Sequence, residues 1–185
     1  MEHKDNNKLV TGRLKKIAKA MGKHYTVKIG ILAENNKPVS EDADLAYIGA
    51  VQEYGAKIKV TDKMRGYFRH NFGVNLRKDK KQIEIPARSW LYEPIKDKGF
   101  RKLVYEFVGD QEIFKEYADK DIMKQLANLI GEAGLLQIQK AFENGGINGD
   151  WEPNSPLTIE RKGSSKPLID KGDLRRSITY EVDNA

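Results

Sequence analysis

Between Leu9 and Met21 the apolar residues Val10, Leu14, Ile17 and Met21 recur at spacings of four, three and four. They share one helical face, while Arg13, Lys15, Lys16 and Lys19 take the remainder. The pattern predicts an amphipathic N-terminal helix within residues 1–24, closed by Gly22. The period then changes to two. Tyr25–Leu32 places Val27, Ile29 and Ile31 in alternation with smaller or polar neighbours, as a half-buried strand requires. Glu34–Pro38 reads as a turn or loop. A second helix is predicted over Asp44–Tyr54, with Asp42 or Asp44 as its cap, Leu45, Ile48 and Val51 or Gln52 in register, and Gly55 as its end.

Residues 56–84 have no sustained period and predict a hairpin-like insertion. Lys57–Val60 reads as a short strand, Thr61 or Asp62 caps a brief helix carrying Met64, Tyr67 and Phe68, and Gly73 breaks it. Lys78–Lys81 reads as an exposed tip before a strand at Gln82–Ile85, which Pro86 stops. Ser89 is then the expected cap of a helix holding Leu91, Ile95, Leu103 and Phe107, with Pro94 in its first turn and Gly99 weakening its middle.

The longest helical pattern runs from Asp119 to Glu143. Ile122, Leu126, Leu129, Ile130 and Ala133 form one wide apolar face, and Leu135, Ile138 and Phe142 form a second stripe rotated away from it. Such a helix needs two covers, one from the domain's own sheet and one from its other helices or from a neighbouring subunit. The glycines of Asn144–Asp150 end it. Trp151–Val182 is rich in Pro, Gly and Ser with single apolar anchors, which predicts an ordered loop clamped on the domain before a last strand at Ser177–Val182. The fold class that follows is α+β: one domain over residues 25–185, with a mainly antiparallel sheet packed by the long helix and its shorter companions.

Composition narrows the chemistry. At 185 residues with 39% apolar side chains, a core can form without staples, and zero cysteines exclude a disulfide framework, thiolate metal sites and a thiol nucleophile. No run approaches the roughly 20 apolar residues of a membrane helix, so a soluble protein with no membrane partner is expected. The net charge of +6 is unevenly spread. Residues 1–24 carry seven basic and two acidic side chains, 25–55 two and five, and 56–84 nine and three. The distribution suits either solvated faces with opposite segments as neighbours or an electropositive patch for DNA or an acidic protein.

Catalytic and metal-binding patterns are missing. His3, His24 and His70 lie far apart and lack the helical spacing of paired ligands. The stretch Asn144–Asp150 lacks dinucleotide-site spacing, and Arg161–Pro167 lacks that of a phosphate loop. Asp42 with Asp44, and Asp170 with Asp173, suit caps and turns before acid–base work. No catalytic, cofactor-binding or metal residue is assigned, and a non-enzymatic protein is expected. The aromatic residues lack the strand pattern of a single-strand nucleic-acid platform.

In the C-terminal third, Trp151–Gly163 presents Trp151, Pro153, Ser155, Pro156, Thr158, Arg161, Lys162 and Gly163, and Lys166–Ile178 presents Pro167, Leu168, Asp170, Gly172, Leu174, Arg175 and Ser177. With Glu53, Tyr54 and Gly55, and with Ile85–Leu91 (IPARSWL), this pattern resembles the phage virion morphogenesis family of tail-completion or head–tail connector proteins. The resemblance spans residues 25 to 183. Asn154 stands where the family usually has Leu, Lys171 where it has Thr and Ser89 where it has Pro, and the insertion at 56–84 is longer than in many members.

The resemblance implies a structural protein of the virion neck or tail end, put together in the host cytoplasm during tail completion and head–tail joining. The implied partners are copies of itself in a homo-oligomeric ring, connector proteins and tail-tube proteins, with only weak electrostatic contact to nucleic acid. A ring needs one patch to fit a different patch on the neighbour. The candidates are the stripe Leu135, Ile138 and Phe142, and the basic residues Lys63, Arg65, Arg69 and Arg77 of the insertion. The rival reading, carried by the basic segments and a pI near 9.3, is a small DNA- or RNA-binding protein.

Overall fold

A computed structural model describes residues 22–109 and 121–184. The amphipathic helix expected over Leu9–Met21, and His3, lie outside the described residues. Strand β1, Tyr25–Ile31, follows the predicted alternation, with Val27, Ile29 and Ile31 turned inward between exposed Thr26 and Lys28. It pairs antiparallel with the last strand, β6 (Ile178–Asn184), from Tyr25 opposite Asn184 to Ile31 opposite Ile178.

Between these strands lie, in order, a 3-10 turn at Ala33–Asn35, β2 (Pro38–Ser40), β3 (Ala43–Asp44), α1 (Leu45–Tyr54), β4 (Ala56–Lys59), α2 (Asp62–Phe72), β5 (Gln82–Ile85), α3 (Tyr92–Lys96), α4 (Lys98–Gly109), α5 (Ile122–Asn144), α6 (Pro156–Lys162) and α7 (Asp173–Arg176). The long helix α5 crosses the β1–β6 ribbon closely. A Cβ on Gly131 would overlap the Tyr180 ring, and one on Gly134 would overlap Ile29 Cδ1. Further along the same face, Ile138, Ala141 and Phe142 enter a core with Trp90, Trp151, Leu174 and Ile178. Phe142 meets the Trp151 ring edge-on at 5.4 Å between centroids, a favoured aromatic geometry.

The architecture is α+β, as expected, but the strands of the described residues form three separate two-stranded ribbons instead of one sheet: β1 with β6, β2 with β3, and β4 with β5. The reason lies in the side chains of β4 and β5. Lys57, Ile58, Lys59, Gln82 and Glu84 are exposed, so this ribbon has no fully buried face to drive it against β1.

Three further expectations are corrected. The helix expected from Ser89 onward is two helices, because Asp97 is extended and its carboxylate accepts the amide of Gly99 at 2.6 Å, starting α4 afresh. The C-terminal loop contains α6, capped by Ser155 and opened by Pro156, and the single turn α7. The stretch before α1 adds the small β2–β3 hairpin. The cap of α1 is Asp44, whose carboxylate accepts the Tyr47 amide at 2.7 Å, and that of α2 is Thr61, accepting from Met64 at 3.2 Å.

Candidate interaction surfaces

Helix α1 ends at Tyr54, and Gly55, with φ +72°, turns the chain sharply into β4. A side chain at Gly55 would bring its Cβ to 2.8 Å from the Ile85 carbonyl oxygen and 2.9 Å from the Ala87 nitrogen. That approach sets Glu53 against the segment 88–92. Glu53 is buried, and its carboxylate is fully engaged: Oε1 accepts from Ser89 Oγ at 2.6 Å and the Tyr92 amide at 3.1 Å, Oε2 from the Trp90 amide at 2.7 Å and the Leu91 amide at 2.9 Å. Amides at the start of α3 have no intrahelical acceptor, so the carboxylate serves as a cap from another helix.

Arg88 is buried beside it. Its Nε donates to the Glu152 carbonyl at 2.7 Å, one terminal nitrogen to the Pro153 carbonyl at 3.1 Å and the other to Gln52 Oε1 at 3.3 Å. Burial pushes its pKa below the usual arginine range, with Glu152 acting in the opposite sense. Trp90 Nε1 donates to the Gly49 carbonyl at 2.8 Å and Trp151 Nε1 to that of Ser89 at 3.2 Å. Glu53–Gly55, Ile85–Leu91 and the Trp151 segment, distant in sequence, thus meet at one knot.

Ser89 and Asn154 find a use here. The Ser89 hydroxyl donates to Glu53 and accepts the Glu93 amide at 3.0 Å. Asn154 Nδ2 donates to the carbonyls of Ser165 and Lys166, at 3.2 and 3.1 Å, and so ties the start of the C-terminal segment to the turn after α6. Lys171 is exposed.

The insertion is a basic arm in which α2 is carried between β4 and β5. Of its candidate residues, Lys63 is exposed on α2, and Arg65 is an internal staple whose guanidinium donates to the carbonyls of Leu76, Arg77 and Lys80 at 3.0, 2.6 and 2.8 Å. Arg69 Nε donates to Asn75 Oδ1 at 3.0 Å, and Arg77 pairs bidentately with Asp79. Three of the four thus have partners inside the arm, carbonyls for Arg65, an amide for Arg69 and a carboxylate for Arg77. Phe72 takes the Arg161 guanidinium over its ring at 4.5 Å, joining the arm to α6.

The stripe candidate is corrected. Ile138 is fully buried and Phe142 1% exposed, both covered by the chain's own Trp90, Trp151 and Leu174, and Leu135 is half-buried against the same core. The C-terminal segment and Trp90 cover this stripe, so Ile138 and Phe142 offer nothing to a neighbouring subunit. What the residue pattern did not reveal is a groove of 1160 Å³ between the arm and the C-terminal segment, bounded by β5, α1, α6 and the loop up to Leu174. It depends on how distant segments stand apart, which no local spacing encodes.

Among the described residues, no group of His, Cys, Asp and Glu is placed to hold a metal ion, and no helix is long and apolar enough to cross a membrane. No family model, curated protein or solved structure matches this chain.

Proposed function

We propose that this protein is a non-enzymatic structural component of a phage virion, acting at the neck or tail end in tail completion and head–tail joining as a homo-oligomeric ring. The observation that carries the reading is the knot around Glu53 and Arg88. Glu53 and Arg88 spend their hydrogen-bonding capacity on main-chain atoms and on Ser89 and Gln52, which is what a fold-defining motif requires and a reaction centre does not. Its prolines and turns hold Trp151–Ile178 in one shape at small cost in chain entropy, and a protein that works by fitting needs such a shape.

Electron microscopy of particles that accumulate when the gene is disrupted tests it: filled heads beside separate tails are expected, and arrested empty heads or intact virions count against it. A second reading is favoured by the exposed Lys57, Lys59, Lys63, Lys78, Lys80 and Lys81 of the arm, which suit binding to nucleic acid. Filter binding of duplex DNA at two ionic strengths separates the two: tight binding that collapses with salt supports the second.

A further inference from the structure

Among the described residues, the outer side of β5 in the β4–β5 ribbon has no paired strand. Val60 donates its amide to the Lys81 carbonyl at 2.9 Å, which makes Val60 and Lys81 a hydrogen-bonded pair of the antiparallel ladder. By alternation, Ile58 with Ile83 and Ala56 with Ile85 are also bonded pairs, and the N–H and C=O groups of Gln82 and Glu84 point away from β4. No backbone group among the described residues pairs with them. They face the groove. Lys81, Gln82, Ile83, Glu84 and Ile85 line it consecutively, as happens when a cavity abuts the edge of a strand and not one of its faces.

The groove carries apolar side chains, among them Leu45, Ile48, Phe68 and Leu157, and an excess of positive charge. Of its acidic residues, Glu84 is paired with Lys57 and Asp173 with Arg176. That leaves Glu152 and Asp170 against Lys80, Lys81, Lys162 and Lys171, and against Arg88 and Arg161, whose contacts with carbonyls and with Phe72 leave their charge in place. Lys162 is half-buried there, and burial pushes its pKa down, with Asp170 only partly offsetting this. An anion placed nearby would relieve it.

We propose that this groove receives an extended segment of a partner protein, acidic and with apolar side chains at alternate positions, which pairs with the outer edge of β5. The backbone of Gln82 and Glu84 supplies register, the lysines select acidic side chains, and the apolar floor takes the inward-facing residues. Duplex nucleic acid fits poorly, since its phosphates have no use for the apolar floor or the strand edge. The inference does not depend on the virion reading.

The test is fluorescence anisotropy with a labelled peptide alternating glutamate and valine, set against a lysine–valine counterpart and against the acidic peptide N-methylated at alternate residues. Saturable binding of the first, at least tenfold weaker for both controls and for Lys81→Glu with Lys171→Glu, is expected, together with slowed amide exchange at Gln82 and Glu84 on peptide addition. No saturable binding, equal binding of the acidic and basic peptides, or indifference to N-methylation overturns it. So does displacement of the peptide by duplex DNA at physiological salt, or protection of the β5 amides that rises with protein concentration alone, which would give the edge to a second copy.

Discussion

Glu53 Oε2 accepts the amide of Trp90 at 2.7 Å, joining the end of α1 to a residue 37 positions further on, in the same indole that donates to the Gly49 carbonyl one turn earlier. Trp90 is therefore held twice by a single helix, at its main chain and at its ring. The Phe142 and Trp151 rings pack beyond it. Core aromatic packing and the polar knot are consequently one unit.

Replacing the carboxylate breaks that unit. Glu53→Ala leaves the Ser89 hydroxyl and the amides of Trp90, Leu91 and Tyr92 without their acceptor, and a loss of about 3 kcal/mol or more is expected. Glu53→Gln keeps the shape but turns an amide group toward donors, so a smaller loss of about 2 kcal/mol is expected. Denaturant titration measures both, and two variants within about 0.5 kcal/mol of the parent would refute the role assigned to this group.

Arg65→Ala removes the staple between α2 and the turn at Leu76–Lys80. No residue of α2 is fully buried, so global stability should fall by less than about 1 kcal/mol while the arm opens locally. Limited trypsin digestion should cut faster at Lys78, Lys80 and Lys81. Arg65→Lys should not restore resistance, because one ammonium cannot span carbonyls that a planar guanidinium reaches together.

Gly131→Ala forces Tyr180 out of its place on β6, with an expected loss of about 2 kcal/mol. Shortening the obstructing ring should recover part of it, so Gly131→Ala with Tyr180→Ala should cost less than the two single changes added, as thermal unfolding can show. Gly134→Ala meets only the flexible side-chain tips of Ile29 and Ile95 and should be milder.

Asp121, the cap of α5, is held at a pKa of about 2 by its hydrogen bonds to Lys23 and then to Tyr25, whose hydroxyl lies 2.7 Å away. A lowered carboxylate pKa gives stability that is present above the ordinary aspartate value of 3.8 and is lost as pH falls toward 2. The same contacts raise Lys23 and Tyr25, so their contribution is present below their ordinary values and lost as pH climbs through the raised ones. Asp121→Asn should flatten the melting-temperature profile at both ends. An unchanged acid limb would refute the assignment.

Local periodicity made much of this fold legible. Val27, Ile29 and Ile31 give β1, the caps Asp44 and Thr61 give the starts of α1 and α2, and Gln82–Ile85 matches β5 residue for residue. Pairing was less legible. That β4 and β5 stand apart from β1 follows from exposed Lys57, Lys59, Gln82 and Glu84, whose alternation alone is equally that of a sheet with one wet face. The interface candidates were the least legible. Ile138 and Phe142 lie on a stripe that any cover would satisfy, and only the position of Trp151, brought there by the chain after α5, shows which cover it is. Arg65 looks like its basic neighbours in sequence, and the carbonyls that occupy it come from residues beyond the next turn.

The pairing of β1 with β6 carries a consequence for biosynthesis. Ile31 and Tyr25 leave the ribosome long before Ile178 and Asn184, so β1 must wait without this partner while the residues between them are made. The exposed Thr26 and Lys28 keep that waiting strand charged and wet on one side, which guards a nascent chain against sticking to its neighbours until the closing partner arrives.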